Sequence, residues 1–207
     1  MINNKSLVDG LGNVNTTKKY YDNWSFDYDK TLKYWNYKAP IKSANILKKN
    51  LKKTPRNILD LACGTGLFGK ELKKIFLNSN IYGSDISSKS LILAKNKNIY
   101  KNLITSNFEI RHNYKIKFDL VSMIGAMTYC KNFEKLFSNL SFYLIKNGNF
   151  IFSHRIDLWE KQNFDKILES KSDLFKIKYL SRPIKYLPLN ADFKDKIKIR
   201  ITILQKC

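Results

Sequence analysis

The chain has 207 residues, 43% of them hydrophobic, and a formal net charge of +21. That length buries a sizeable core in one domain. No apolar run approaches the roughly 18–20 residues that span a bilayer as a helix, so no membrane-spanning helix and no membrane partner are expected. The opening Met1-Ile-Asn-Asn-Lys-Ser6 lacks the apolar centre of a secretory signal, and the expected location is cytoplasmic. Three widely spaced cysteines, Cys63, Cys130 and Cys207, suggest neither a disulfide framework nor a metal cluster. The charge points towards nucleic acid. Only five of the 38 basic residues are arginines, however (Arg56, Arg111, Arg155, Arg182, Arg200), and nucleic-acid sites favour the guanidinium fork. The lysines are scattered along the chain, so a solvated lysine surface is favoured over a nucleic-acid partner.

Residues 1–16 are polar and are expected to fray or to pack late. Residues 17–36 read as a pair of short aromatic-rich helices. Pro40 suits the first turn of a helix running to about Lys53, with Ile41, Ala44, Ile46, Leu47 and Leu51 as its apolar stripe. An alternation follows: strand 57–61, helix 66–77, strand 80–84, helix 88–97, a weaker strand near 102–105, strand 118–123, helix 132–145 and strand 149–153. Alternating strands and helices predict an α/β fold, a parallel sheet doubly wound by right-handed crossovers. After residue 155 come a helix near 157–170 and two strands, about 174–181 and 195–205. The second sets Ile197, Ile199, Ile201 and Ile203 against Lys198, Arg200 and Thr202. That period predicts an antiparallel edge hairpin with one solvated face. A charged edge discourages pairing between molecules and predicts a monomer. One domain over 1–207 is expected, with entry helices at 17–53, a binding core at 56–155 and a C-terminal helix and hairpin at 156–207.

The segment Ile58-Leu-Asp60-Leu-Ala62-Cys63-Gly64-Thr-Gly66-Leu-Phe-Gly69 reads as a buried strand, a glycine turn and a helix start. Such a turn brings backbone N–H groups close to a nucleotide-like ligand. A second apolar run, Ile81-Tyr82-Gly83, ends at Asp85, whose carboxylate can accept from two ribose hydroxyls. The glycine spacing alone fits a dinucleotide, so the neighbours decide. Asp60 would repel a pyrophosphate and attract the ammonium of a methionine moiety. S-adenosylmethionine (SAM) therefore suits the segment better than NAD.

Asp60-Leu-Ala62-Cys63-Gly64-Thr-Gly66 and Gly83-Ser-Asp85-Ile86-Ser resemble motifs I and II of class I SAM-dependent methyltransferases. Tyr21-Asp-Asn-Trp24-Ser-Phe-Asp-Tyr28-Asp and Tyr37-Lys-Ala-Pro40 are similar to the entry helices of small methyltransferase-like proteins, of the Williams–Beuren-region and repeat-linked bacterial types. Phe118–Met123 looks like the fourth strand. Leu144–Ser153 looks like the "LKPGG" turn and fifth strand, with Asn147 where glycine or proline is common. The resemblance implies a Rossmann-like seven-stranded sheet of order 3-2-1-4-5-7-6, strand 7 antiparallel, beneath N-terminal lid helices. It implies SAM as cofactor, with S-adenosylhomocysteine (SAH) as product. Gly64 and Gly66 would approach the methionine carboxyl and ribose, and Ile86 would lie on the adenine. Asn107-Phe108 stand where the family often has an Asp for the adenine amino group. Met123 and Ile124 would line the cofactor with backbone, and Tyr21, Trp24 and Tyr28 would close over the methionine.

A general base is needed only where the acceptor must lose a proton. His154 and Tyr129 are the catalytic candidates, and Arg155 and Arg182 could hold an acidic substrate. The run Met123-Ile-Gly-Ala-Met-Thr-Tyr129 lacks the Asn/Asp-Pro-Pro-Tyr/Phe pattern of enzymes that methylate base amino groups. Methyl transfer to a small-molecule acceptor is the favoured function. An RNA or protein methyltransferase docking through its basic surface, and a non-catalytic SAM-binding module, are the alternatives.

Overall fold

A computed structural model describes residues 6–193 and 196–207. Two helices lead: α1 (Val14–Tyr34) and α2 (Ala39–Asn50). The alternating core is β1 (Asn57–Leu61), α3 (Leu67–Ile75), β2 (Asn80–Asp85), α4 (Ser88–Asn96), β3 (Tyr100–Thr105), β4 (Phe118–Met123), α5 (Phe133–Tyr143) and β5 (Leu144–Arg155). It ends in α6 (Ile156–Lys161), α7 (Phe164–Glu169), β6 (Phe175–Leu180), the two-residue β7 (Ile184–Lys185) and β8 (Lys198–Lys206). The strands run in the order β3-β2-β1-β4-β5-β8-β6, with β7 pairing β8 off this path. The first five are parallel, and β8 is antiparallel to both β5 and β6. The expected α/β class, strand order and antiparallel last strand are all present.

The period-2 alternation of the strands sends side chains to two cores. Leu59, Leu61, Val121, Phe150 and Phe152 pack with Leu136, Phe137 and Leu140 of α5. Ile58, Ile81, Leu120, Ile151 and Ile203 pack with Leu47 of α2 and Phe68 and Leu72 of α3. A third cluster, with Trp24, Leu32, Trp35, Leu187 and Phe193, seats α1 against the segment after β7.

Four local expectations are corrected. Residues 6–16 do not dangle: Leu7 is buried, and the Tyr20 hydroxyl donates to the Ser6 carbonyl at 2.8 Å. Residues 1–5 lie outside the described residues. The pair of entry helices at 17–36 is a single helix, because no glycine or proline interrupts 14–34; it is capped by Asn13, which accepts from Thr16 N. The helix expected at 157–170 is two, broken where Asn163 takes φ 49°. The strand expected at the sheet edge, β8, is interior. Thr202 is fully buried, and on the face it shares with Lys198 and Arg200 only Lys198 is exposed. The case for a monomer that rested on that edge falls with it.

The fifth strand carries a larger correction. Phe150, Phe152 and His154 share one face of β5, so His154 enters the aromatic core instead of a site. Its ring lies 4.8 Å from Phe164 and 6.0 Å from Trp159, centroid to centroid. Nε2 bonds Gln162 Oε1 at 3.0 Å, and Nδ1 has no partner. Burial lowers its pKa to about 4. His154 thus sits buried in the aromatic core, 1% exposed, and is not among the residues that line the cavity.

Two stability measurements test these placements. Thr202 Oγ1 is buried without a partner, so Thr202→Val removes an unsatisfied hydroxyl at constant shape. Urea unfolding should show a gain of about 1 kcal/mol; a solvated strand face would show none. For His154, the unfolded chain binds a proton below its usual pKa of about 6.5 while the folded chain does not until about 4. Stability is therefore lost as pH falls through that window. Relative to wild type, His154→Phe should gain about 2–3 kcal/mol between pH 7 and pH 4.5. A parallel pair of stability–pH curves would place the imidazole in water.

Candidate active site

The parallel strands end on one side of the sheet, and the turns after β1, β2 and β4 meet there under α1. The turn after β1 is sharp. Ala62, Gly64 and Gly66 take φ values of 52°, 54° and 88°, a left-handed run that glycine adopts at little cost. A Cβ on Gly64 would meet no atom within 4 Å, so open space faces the turn.

Beneath the turn lies a carboxylate. Asp60 is 1% exposed; its Oδ1 accepts from Ser122 Oγ at 2.7 Å and its Oδ2 from the Tyr100 hydroxyl at 2.8 Å. Tyr100 reaches it from β3 through space that three glycines leave. A Cβ on Gly69 would collide with the Tyr100 hydroxyl, and one on Gly83 or Gly66 would lie 2.9 or 3.0 Å from its ring. The third glycine of the Gly-x-Gly-x-x-Gly spacing thus makes room for a tyrosine. Tyr100 was not foreseen; the paired Gly69 and Gly83 on neighbouring elements were its only trace.

Asp85 ends β2. Its Oδ2 accepts from Gly64 N and its Oδ1 from Ser87 N, each at 2.8 Å. Ser87, which accepts from Ser90 N, is the N-cap of α4, so Asp85 does not cap the helix and instead walls the cavity. Burial pushes both Asp60 and Asp85 up to about 6, leaving them ionised near neutrality.

Helix α1 is tied across these turns by two acids the sequence reading missed. Asp22 Oδ1 accepts from Ser87 Oγ at 2.7 Å. Asp29 accepts from the Thr65 hydroxyl and pairs with Lys97 at 2.8 Å. The Tyr21 and Tyr129 hydroxyls meet at 2.7 Å. These contacts close a cavity of about 60 Å³ whose walls include Tyr21, Tyr28, Gly64, Asp85, Ile86 and Tyr129, with Ala62 and Ile124. A recess of about 30 Å³ alongside reaches Asp60 and Cys63.

Other expected contact residues direct their side chains elsewhere. Trp24 is 1% exposed in the cluster that seats α1, so its indole is lid core. The Met123 side chain is in the sheet core, and Phe108 packs against that core. Asn107 turns its Oδ1 onto Glu109 N at 2.9 Å, an Asx turn. None of these lines the cavity. Arg155 grips Asp157 with both ends of its guanidinium, at 3.0 and 2.5 Å, and stacks on Phe193. Among the described residues no cluster of His, Cys, Asp or Glu could hold a metal.

Residues 59–150 match a family model described as a methyltransferase domain. Human methyltransferase-like protein 27 is 32% identical over 124 residues, 58% of this chain and 50% of that protein. Malonyl-[acyl-carrier protein] O-methyltransferase 2 of Ilyobacter polytropus is 31% identical over 147 residues, 69% of this chain and 55% of that one. The chain thus spans about half the length of these curated relatives. Among solved structures, magnesium protoporphyrin IX methyltransferase from Synechocystis, with bound SAM, superposes with a TM-score of 0.68 over 95% of this chain and 98% of that one, at 16% identity. Residues 59–150 thus match a methyltransferase domain, and the chain has the fold of the SAM-dependent methyltransferases on which it superposes.

Proposed function

We propose that the protein is a SAM-dependent methyltransferase of the small methyltransferase-like type, acting on a small-molecule acceptor. The observation that carries this reading is the Asp85 carboxylate bonded to Gly64 N in the cavity wall, opposite the open face of the glycine turn. The residues present fit an adenosine bearing a methionine tail. Asp85 would accept from the ribose hydroxyls, Ile86 would cover the adenine, and Gly64 would let the backbone approach. Asp60, in the adjoining recess, would face the ammonium. Tyr21 and Tyr28 would close over the tail from α1. When bound, SAM supplies a methyl group already activated on a sulfonium. The protein's share is then alignment and exclusion of water, which a helix latched across three turns provides. Ligand pockets of this class run to about 300 Å³ and above, so α1 must lift to admit the cofactor.

Relatives named for malonyl-[acyl-carrier protein] O-methylation support a compact oxygen acceptor over RNA. The likeness to the human methyltransferase-like protein supports the small methyltransferase-like type.

Calorimetric titration should give micromolar binding of SAM and SAH and none of NADH. Asp85→Ala should weaken SAH at least tenfold; unchanged affinity would show that the carboxylate does not touch the ribose.

A further inference from the structure

A second cleft lies at the other end of the sheet. The cofactor turns follow the carboxyl ends of the parallel strands; this cleft sits beyond the starts of β1 and β4. Its volume is about 410 Å³, inside the range of about 300–1,000 Å³ of small-molecule sites. Three stretches of chain wall it. The link from α2 to β1 brings Lys52 and Lys53. The outward bow of β5 brings Lys146: Phe118 pairs with Leu144, and Leu120 with Asn149, so residues 145–148 project beyond the ladder. That bow is held in shape. A Cβ on Gly148 would lie 2.9 Å from the Ile145 carbonyl oxygen, and Gln205 Nε2 donates to the Asn147 carbonyl at 3.0 Å.

The third wall is the edge strand β6, with Lys178. Lys178 is the extra residue of a β-bulge: Ile177 pairs with Leu204, and Tyr179 with Ile203. Bulges re-aim side chains, and here the ammonium reaches Asn149 Oδ1 at 3.4 Å. A neutral amide at that distance is a weak partner for a charge. Among the described residues none of Lys52, Lys53, Lys146 and Lys178 pairs with a carboxylate. The only acid among the described wall residues, Asp119, accepts from the backbone N–H groups of Arg56 and Asn57 at 3.1 and 2.8 Å.

Ammoniums on a convex surface act singly. In a concave site their fields add and concentrate anions. No ring and no guanidinium lines the described wall, so nothing there stacks on a base or forks onto a planar carboxylate. Lysine holds phosphate as a point charge, and a short phosphate chain packs several negative charges into the span of one such cleft. We propose that this cleft binds a compact oligophosphate, a chain of two or three phosphate groups, free or at the end of a nucleotide, gripped by Lys178 from β6 and by Lys52, Lys53 and Lys146 from the facing turns. Recognition is by charge density and is blind to the base. The site is separate from the cofactor cavity and does not depend on the function proposed for it.

Calorimetric titration of the full chain with pyrophosphate, tripolyphosphate and GTP, beside guanosine and citrate, tests this assignment. Tripolyphosphate should bind at about 10–100 μM in about 100 mM KCl, more weakly as salt rises. GTP should bind within about threefold of it, and guanosine not at all. Lys178→Gln and the double variant Lys52→Gln/Lys53→Gln should each weaken tripolyphosphate at least about fivefold, with Lys178→Arg retaining most of the affinity. Lys161→Gln, an exposed lysine of α6 beyond the carboxyl end of β5, should leave the affinity unchanged. SAH titrated into the same variants should bind as it does to wild type; failure of SAH to bind wild type overturns the cofactor reading and leaves this one standing. The oligophosphate assignment is overturned if tripolyphosphate does not bind, if citrate binds as tightly, or if Lys161→Gln costs as much as Lys178→Gln, the mark of diffuse surface charge. A short oligouridylate that binds more tightly than tripolyphosphate would overturn it in favour of a nucleic acid.

Discussion

Burying the Asp60 carboxylate beneath a glycine turn is the constraint on which the cofactor end of this molecule depends. An ionised carboxylate away from water is tolerable only when hydrogen bonds replace its hydration. Ser122 on β4 and Tyr100 on β3 provide them. Tyr100 starts two strands away from Asp60, and its ring must pass under β2 and the start of α3. That passage exists because residues 66, 69 and 83 have no side chain. The carboxylate, the tyrosine and the three glycines form one unit spanning four elements. The positions of the backbone N–H groups after β1 follow from it.

Above this rigid base, α1 is held by contacts of two kinds. Trp24, Leu32 and Trp35 bury apolar surface against Leu187 and Phe193, a non-directional attachment that tolerates small shifts. Asp22, Asp29 and Tyr21 make polar ties to the turns after β2, β1 and β4. Each such tie is worth only about 1 kcal/mol net, because water replaces it on opening. Breaking the polar ties therefore costs far less than detaching the helix, which the apolar cluster holds. A cavity of about 60 Å³ and a cofactor several times larger are compatible on those terms.

The alternation of strand and helix, the glycine turn and Asp85 were legible in the sequence because each is a local signal: a period, a turn residue, a charge at a strand end. What escaped depends on partners far along the chain. Tyr100 reads as an ordinary strand tyrosine until its path beneath three glycines is seen. The Lys198–Thr202 alternation reads as an edge strand; only the insertion of β8 between β5 and β6 shows that Thr202 is covered. His154 is a different kind of miss. Its parity with Phe150 and Phe152 was on the page, and a strand that buries those two rings must bury the third position too. Asn147 runs the other way: its φ of 62° is the backbone conformation that glycine suits and asparagine tolerates. A departure from the family's "LKPGG" turn therefore preserves the geometry.

The charge of +21 belongs to the same lesson. Lysines crowd the outside, where long flexible ammoniums keep their hydration. The arginines are placed more selectively. Arg111 bonds Ser138 and Asn139 and stacks on Phe142; Arg200 stacks on Trp159; Arg155 is clamped between Asp157 and Phe193. A planar guanidinium loses less freedom per hydrogen bond than an ammonium and packs on rings, so it suits positions where a charge must be held still.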